Sequence, residues 1–481
     1  MRQFLFPLSL ALLVAPSYSL FSSGRDILSE QDATIAALVY GIPLTSYVVW
    51  ANAVAAEKGG WFTNSFYYQP TLANASSPHV VILPNVDTLY SGAMIDLSQG
   101  DVVATMPPLE EGRFYVWPFY DLYGDNFCNI GTATNSLAGK YLIKYRASEP
   151  GCVAGSDEYT GIIYMPTVYG ATLLRIEVFN SSDVNYVASS IDPGFRLSVL
   201  PSDSAPRAPA LTQELLNDNL NTSDPALYIM QLTARVAAFN MPEVPEDVAP
   251  IAAVLEIAGI SMTAQTYTMP AGVNLTLAYS AAQDVLLGVV ANQTNFVALG
   301  NSWMMLAPAL CGNFLSHYGV RAFIAMQAYL QLQASEAVYP TFALSGNLYA
   351  NQTYMVQFFG KPQVNGFWSL TVYDGEGYLV PNSINRYSLN NRDNMTYPDG
   401  TLVYGGSSPA NSTQSFYMLL QSTDTPASAE WESNWLPTPA AGGEFSFQLR
   451  WYGPTDSLLN GTYTYPKLTA VAANPPLPIS G

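Results

Sequence analysis

The chain has 481 residues, a formal net charge of -19 and a sequence pI near 4.3. Its 36 acidic residues against 17 Lys and Arg argue against nucleic acid or an anionic membrane as the main partner, because both bind basic surfaces. Only 11% of the residues are charged, whereas 13% are aromatic. Such a surface needs another source of solubility, which attached sugars and the net negative charge can supply.

The N-terminus predicts a secretory signal peptide. Arg2 is followed by an apolar run from Phe4 to Ala15 and by a small-x-small triplet that ends at Ser19. These are the three parts of a signal peptide, which we place at residues 1–19. The run is too short to cross a bilayer, and we find no later stretch of the roughly 18 apolar residues that a span requires. The sequence therefore predicts a secreted, extracellular protein without a membrane span.

Nine Asn-x-Ser/Thr sequons, more than chance supplies, are spread over the whole chain. They favour a eukaryotic secretory route with sugars on surface loops, although unmodified surface asparagines are the alternative. The predicted glycosylation sites are Asn74, Asn180, Asn221, Asn274, Asn292, Asn351, Asn394, Asn411 and Asn460.

The chain has three cysteines. A disulfide between Cys128 and Cys152 is predicted, because an oxidising compartment favours it and the segment between them has a strand, turn and strand pattern. Cys311 is then an unpaired thiol, which we expect to be buried rather than catalytic.

The first part of the chain changes from helical to strand patterns. In residues 20–60, apolar and small residues recur at helical spacing, and Gly41-Ile-Pro43 is expected to divide them into two helices. Residues 61–200 contain short strands rich in Val, Tyr, Phe and Thr. The run from Arg113 to Asp121 is apolar on both faces, which predicts a buried strand.

The second part repeats this change. Residues 201–335 are predicted to be helical after a Pro-rich and Ser-rich linker, residues 336–470 to be rich in β-strands, and residues 471–481 to be a tail. The segment Phe445 to Tyr452 alternates apolar and polar residues, as in a half-buried strand. The predicted fold class is mainly β, with two sandwich or jelly-roll-like domains and additional α-helices at the N-terminus and between the domains.

Two groups of motifs resemble a secreted or exported two-domain family. The first group includes Asn85-Val-Asp-Thr-Leu-Tyr90 and Gly112-Arg-Phe-Tyr115, and the second includes Phe367-Trp-Ser-Leu-Thr-Val-Tyr-Asp374 and Leu449-Arg-Trp-Tyr-Gly-Pro454. Their order resembles a DUF1254 domain followed by a DUF1214 domain, over roughly half the chain. The resemblance implies two all-β domains with added helices and brings no established catalytic residues. The chain departs from the family at Gly170-Ala-Thr172, where the family tends to have Gly-Arg-Thr.

Candidate catalytic residues are predicted from residue type and position. Asp87 follows an apolar run, and Asp121 ends the predicted buried strand. A charge carried into a core without compensation is costly, so each carboxylate needs a cationic partner. We expect Asp87 to pair with Arg113, and Asp121 to pair with Arg386 or Arg450.

Two interpretations of these groups remain open. In one they are structural ion pairs and turn caps. In the other, a tyrosine-lined cleft between the domains binds a carbohydrate or another small polar molecule, on which Asp87 and Asp121 act as general acid and base. The predicted substrate-binding side chains are Tyr90, Arg113, Trp368, Arg386, Tyr387 and Arg450. A non-catalytic extracellular glycan-binding or surface protein is the alternative function.

The sequence predicts no metal site and no cofactor. His79 and His317 are the two histidines of the chain, so a site built from several imidazoles is disfavoured. A Ser-His-Asp triad would have to use one of them. Asp393 and Asp399 lack the spacing of a calcium-binding loop.

Overall fold

The computed structural model describes residues 29–77, 82–202, 205–343, 347–406 and 408–478. The predicted signal peptide at residues 1–19, the start of the apolar run before Asp87, and His79 lie outside the described residues. The helices are α1 (Glu30–Lys58), α2 (Val184–Tyr186), α3 (Gln213–Asn217), α4 (Pro225–Val236), α5 (Pro245–Ile257), α6 (Leu275–Ala291), α7 (Tyr318–Ala328) and α8 (Asp456–Leu459).

The strands are short and occur along most of the chain. They are β1 (Tyr67–Tyr68), β2 (Thr88–Asp96), β3 (Gly100–Met106), β4 (Tyr115–Asp121), β5 (Asn126–Gly131), β6 (Gly139–Tyr145), β7 (Gly151–Ala154), β8 (Gly161–Met165), β9 (Tyr169–Glu177), β10 (Arg196–Pro201), β11 (Ile260–Ser261), β12 (Thr266–Tyr267), β13 (Phe296–Gly300), β14 (Trp303–Leu306), β15 (Ala337–Val338), β16 (Thr341–Phe342), β17 (Leu348–Tyr349), β18 (Thr353–Phe358), β19 (Trp368–Asp374), β20 (Ser388–Asn390), β21 (Phe416–Ser422), β22 (Trp435–Thr438), β23 (Glu444–Tyr452) and β24 (Lys467–Val471).

Helix α1 is continuous, so the prediction of two helices was wrong. It begins at an N-cap, Ser29, and ends at Gly59, whose φ of 77° is left-handed. Pro43 lies inside the helix and removes one backbone hydrogen bond. The helix persists because α4, α5, α6 and α7 pack around it. Gly41 permits this packing, because a Cβ at that position would collide with Thr233 of α4.

By length and composition α1 is apolar enough to cross a membrane, but 72% of its apolar window is buried inside the protein. It forms the axis of a helical layer with α4 to α7. This layer accounts for most of the segment predicted to be helical, which also contains the short strands β11 to β14. The layer shares one core with the N-terminal sheets.

The N-terminal β-domain contains two five-stranded sheets. The first, which we call the central sheet, has the order β1-β2-β9-β4-β5, and the second has the order β10-β3-β6-β8-β7. Strand β4 is buried along its whole length, as the sequence predicts. A disulfide between Cys128 in β5 and Cys152 in β7 joins the two sheets, with the Cα atoms 5.5 Å apart. Cys311 is free and buried, and burial raises the pKa of its thiol to about 12.

The C-terminal β-domain is a two-sheet sandwich. One sheet contains β15, β23, β19 and β20, with β17 also paired to β23, and the other has the order β22-β21-β18-β24. Trp368 of β19 and Trp451 of β23 pack in the core between the sheets. The predicted fold class, mainly β with additional helices, is therefore confirmed.

The two β-domains meet through an aromatic contact. Phe114, immediately before β4, packs against Phe367 and Tyr452 of the C-terminal domain. The rings of Phe367 and Tyr452 stack with their centroids 4.1 Å apart. We call this contact and the polar groups around it the domain junction.

Candidate functional site

Arg392 holds two buried carboxylates at the domain junction. Its Nη2 lies 2.7 Å from Oδ1 of Asp87, and its Nη1 lies 2.6 Å from Oε1 of Glu177. Thr88 pairs with Glu177 in the central sheet, so the register brings the two carboxylates to one end of β2 and β9. Their exposed fractions are 2% for Asp87 and 3% for Glu177. Burial raises the pKa of Glu177, and Arg392 opposes that rise. We call these three residues the Arg392 clamp.

A second set of hydrogen bonds fixes the loop before β2 to the C-terminal domain. Asn85 donates from Nδ2 to the Tyr452 hydroxyl over 2.5 Å. Arg450 donates to the carbonyl of Leu83 over 3.0 Å, and the Tyr373 hydroxyl donates to the carbonyl of Pro84 over 2.8 Å. The domain junction is therefore polar as well as aromatic.

Arg175 lies in the middle of the central sheet and is only partly hydrogen-bonded. The register places it between Tyr90 of β2 and Val116 of β4. Its Nη2 donates to the carbonyl of Leu330 over 2.9 Å. Within the described residues, its Nε and Nη1 have no hydrogen-bond partner, and only 5% of the residue is exposed. A buried cation with unused donors is costly, because these groups have lost water without gaining an acceptor.

Four tyrosines surround this guanidinium, and they are its main electrostatic neighbours: Tyr120, Tyr339, Tyr90 and Tyr452. The guanidinium carbon of Arg175 is 5.6 Å from the centre of the Tyr90 ring. Tyr120 donates to the same Leu330 carbonyl over 2.8 Å. Tyr90 and Tyr339 are half-buried, whereas Tyr120 and Tyr452 are fully buried. Burial raises the pKa values of Tyr120, Tyr339 and Tyr452, so their hydroxyls stay protonated. We call Arg175 and these tyrosines the Arg175 site.

Glu336 is a buried acid next to this site. It is 1% exposed, its Oε2 has no hydrogen-bond partner within the described residues, and burial raises its pKa to about 7. It contributes to the electrostatics of Tyr120, and its carbonyl accepts a hydrogen bond from the amide of Gly453 over 2.7 Å. The Arg175 site therefore lies beside an acid whose pKa is close to neutral pH.

Comparison with protein-family models identifies both β-domains. The model described as "Protein of unknown function (DUF1254)" matches residues 63–198, and the model described as "Protein of unknown function (DUF1214)" matches residues 336–456. The chain belongs to the DUF1254–DUF1214 family. Arg175 and Tyr90 lie in the DUF1254 domain, whereas Tyr339 and Tyr452 lie in the DUF1214 domain. The Arg175 site is thus built from both domains of the family.

A solved structure shares the fold at low sequence identity. The VPA0106 protein from Vibrio parahaemolyticus superposes with a TM-score of 0.62 at 15% identity, over 92% of this chain and 100% of that one. An uncharacterised protein from Burkholderia cenocepacia gives a TM-score of 0.42 at 10% identity, over 92% of this chain and 95% of that one. No curated protein matches the chain. The likeness to VPA0106 shows a common fold.

Asp87 and Asp121 lie at opposite ends of the DUF1254 central sheet. Thr88, next to Asp87, pairs with Glu177 of β9, whereas Asp121 pairs with Gly170 of the same strand. The seven-residue separation along β9 corresponds to about 23 Å at a rise of roughly 3.3 Å per residue. Paired carboxylates in glycosidases are about 5 to 10 Å apart. The prediction that Asp87 and Asp121 act as one acid and base pair was therefore wrong.

The expected ion pairs of these aspartates were also wrong. Asp87 pairs with Arg392. Arg113 instead forms ion pairs with Glu110 and Asp183. Asp121 accepts hydrogen bonds from the backbone amides of Tyr123 and Asp125. Neither Arg386 nor Arg450 approaches Asp121, because both guanidinium groups donate to other acceptors. Arg386 donates to the carbonyls of Glu432 and Trp435. Arg450 donates to the hydroxyls of Thr371 and Tyr373 and to the carbonyl of Leu83.

The predicted substrate-binding residues are only partly brought together. Tyr90 belongs to the Arg175 site and Arg450 to the domain junction. Arg113 lies behind the Arg392 clamp, where it donates to the carbonyl of Glu177 over 2.5 Å. Trp368 is fully buried in the core of the DUF1214 domain and donates to the Tyr404 hydroxyl. Arg386 and Tyr387 lie outside the Arg175 site, in the loop before β20.

Asp121 belongs to a separate buried cluster beneath the helical layer. There Arg321 pairs with Asp125 over 3.0 Å and lies over the rings of Tyr40, Tyr123 and Tyr318. Burial raises the pKa of Asp121 to about 8, and it raises that of Glu243, a further neighbour, to about 8. Within the described residues, no group of three or more His, Cys, Asp and Glu side chains could hold a metal ion.

Six residues of the Arg392 clamp and the Arg175 site were not predicted from the sequence, and they are Tyr120, Arg175, Glu177, Tyr339, Arg392 and Tyr452. The position of Arg175 in the sequence could have indicated a site residue. It is a charged residue in β9, a strand in which all other positions except Leu173 are buried. A cation in such a strand requires an acceptor from another part of the structure.

Proposed function

We propose that this DUF1254–DUF1214 protein binds a small polar molecule at the Arg175 site, between its two β-domains. One observation supports the proposal most: Nε and Nη1 of Arg175 are buried without an acceptor among the residues that the structure describes. An unsatisfied buried polar group costs about 1–3 kcal/mol, and more when it is charged. A bound molecule with acceptor oxygens would remove this cost.

The tyrosines support a small organic ligand rather than a lone ion. Tyrosine rings offer flat apolar faces with a polar edge, which suit the body of a sugar or another compact polar molecule. The partly accessible rings of Tyr90 and Tyr339 come from different domains, so a ligand would contact both. We give binding priority over catalysis, because Asp87 and Glu177 are already held by Arg392.

We also propose that the protein is secreted in glycosylated form. All nine sequon asparagines are exposed, which a glycan requires, and the Cys128–Cys152 disulfide suits an oxidising compartment. A surface with few charged side chains would gain solubility from these sugars.

A thermal-shift screen tests the binding function, because a ligand that prefers the folded state raises its stability. The purified protein would be screened against sugars, sugar alcohols, organic acids and amides. We expect at least one compound to raise the melting temperature of the wild type but not of Arg175→Met. The matched control is Arg235→Met in α4, an arginine that donates to the backbone carbonyls of Leu215 and Asp218 at α3. No shift from any compound, or an equal shift in Arg175→Met, would contradict the proposal.

A further inference from the structure

We infer that the ligand of the Arg175 site is a hydroxycarboxylate, a small organic acid with a carboxylate and a second oxygen group, such as a sugar acid. The inference rests on the proposed binding function and adds the chemical class of the ligand. Three observations support this inference, which are the charge at the site, the positions of the free donors and the chemistry of the surrounding hydroxyls.

The charge at the site calls for an anion. Arg175, Arg392 and Arg450 lie at or beside the domain junction, and they differ in how their guanidinium groups are satisfied. Arg392 has two carboxylate partners. Arg450 has neutral acceptors from Thr371, Tyr373 and Leu83. Within the described part of the chain, Arg175 forms no ion pair and has one hydrogen bond, so its positive charge is the least compensated of the three. A bound anion would compensate it.

The number of charges favours a carboxylate over a phosphate. Arg175 contributes one positive charge, which a carboxylate balances. A phosphate group carries about -1.5 to -2 charges at neutral pH and would leave negative charge buried. The nearby acid Glu336 would add to this excess when it ionises. A monoanion is therefore the better match.

The positions of the free donors call for more than one oxygen group. A guanidinium is planar and presents its N–H groups in a fixed arrangement, in which Nε and Nη1 lie at different edges. One carboxylate cannot bridge both edges, so a second oxygen of the ligand is needed for the other edge. The hydroxyl of Tyr339 stays protonated and can donate to one of these oxygens. A hydroxyl beside a carboxylate meets these requirements.

Isothermal titration calorimetry tests the inference with three hydroxy acids, which are glycolate, gluconate and glucuronate. The controls are glucitol and glucose, which lack the carboxylate, together with acetate, which lacks the hydroxyl, and inorganic phosphate. We expect at least one hydroxy acid to bind the wild type at least tenfold more tightly than every control. We also expect Arg175→Met to weaken that binding at least tenfold, and Arg235→Met to leave it unchanged.

The outcomes separate this inference from the proposed function. Binding of glucitol or glucose as tight as that of the acids, and lost in Arg175→Met, would overturn the carboxylate class while leaving the binding function in place. Tighter binding of phosphate than of all three hydroxy acids would overturn the inference that the site prefers a ligand with one negative charge. Absence of binding by every compound would overturn the hydroxycarboxylate class, whereas the binding function would be overturned only if the wider thermal-shift screen also gave no shift. Melting curves of Arg175→Met check that the variant is folded, and they do not depend on any ligand.

Discussion

Arg175 and Arg450 provide a matched test of which buried arginine is structural and which is reserved for a ligand. They are exposed to similar extents, 5% and 4%, and within the described residues neither forms an ion pair. In the described part of the chain, Arg450 makes three hydrogen bonds of 2.7 to 3.0 Å, whereas Arg175 makes one and leaves two nitrogens unused. Replacement by methionine keeps much of the volume and removes the charge in both variants.

The hydrogen bonds set the direction and size of the effect. Hydrogen bonds to charged groups contribute about 1.5–3 kcal/mol each, and each unsatisfied buried group costs about 1–3 kcal/mol. Arg450→Met loses three such bonds and leaves the Leu83 carbonyl without this donor, so we expect a loss of about 4 kcal/mol or more. Arg175→Met loses one bond and removes two unsatisfied nitrogens, so we expect the ligand-free protein to gain about 2 kcal/mol.

Equilibrium urea unfolding measures both variants, followed by tryptophan fluorescence and by circular dichroism to check that the two probes agree. The midpoint should rise for Arg175→Met and fall for Arg450→Met. A saturating ligand should reverse the advantage of Arg175→Met, because only the wild type gains binding energy. If Arg175→Met is destabilised as much as Arg450→Met, then Arg175 is a structural residue and is not reserved for a ligand.

Three further predictions follow from the junction, the buried acids and the sequons. Arg392→Met leaves Asp87 and Glu177 buried without their cation, so urea unfolding at pH 7 should show that the free energy of unfolding falls by about 3–5 kcal/mol. Adding D87N and E177Q should restore much of it. A fall below about 1 kcal/mol would show that Arg392 does not compensate the two carboxylates. The stability against urea should fall as pH rises from about 5 to 8, because burial raises the pKa of four acids above their values in the unfolded chain, and their protonated forms stabilise the fold at low pH. The pKa is raised to about 7 for Glu336 and Asp192 and to about 8 for Asp121 and Glu243. Constant or rising stability over this pH range would contradict the prediction. Peptide N-glycosidase should reduce the mass of the secreted protein by several glycans, whereas an unchanged mass would exclude N-glycosylation.

The sequence predicted the strands well because their apolar patterns are local. The run at β4 is apolar on both faces, and the strand is buried throughout. In β23 the alternation predicted one polar face, yet Arg450 and Tyr452 on that face are buried against the DUF1254 domain. Alternation distinguishes apolar from polar faces, but it cannot distinguish a face in water from one in a polar domain junction.

The partners in the candidate site could not be predicted, because they are far apart in the chain. Arg392 follows β20 in a polar loop, and its partners Asp87 and Glu177 lie 305 and 215 residues away. No local spacing encodes such a contact. The continuity of α1 was missed for a related reason, since the helices that pack around Pro43 come from much later in the chain.

The most direct test of the binding site is a crystal structure of the protein soaked with the tightest-binding compound of the screen, at a resolution that separates water from an organic molecule. We expect density for the compound within hydrogen-bond distance of Nε and Nη1 of Arg175, in contact with Tyr90 and Tyr339. Density for the compound elsewhere, or side chains of the protein itself bonded to both nitrogens, would show that Arg175 is not the binding residue.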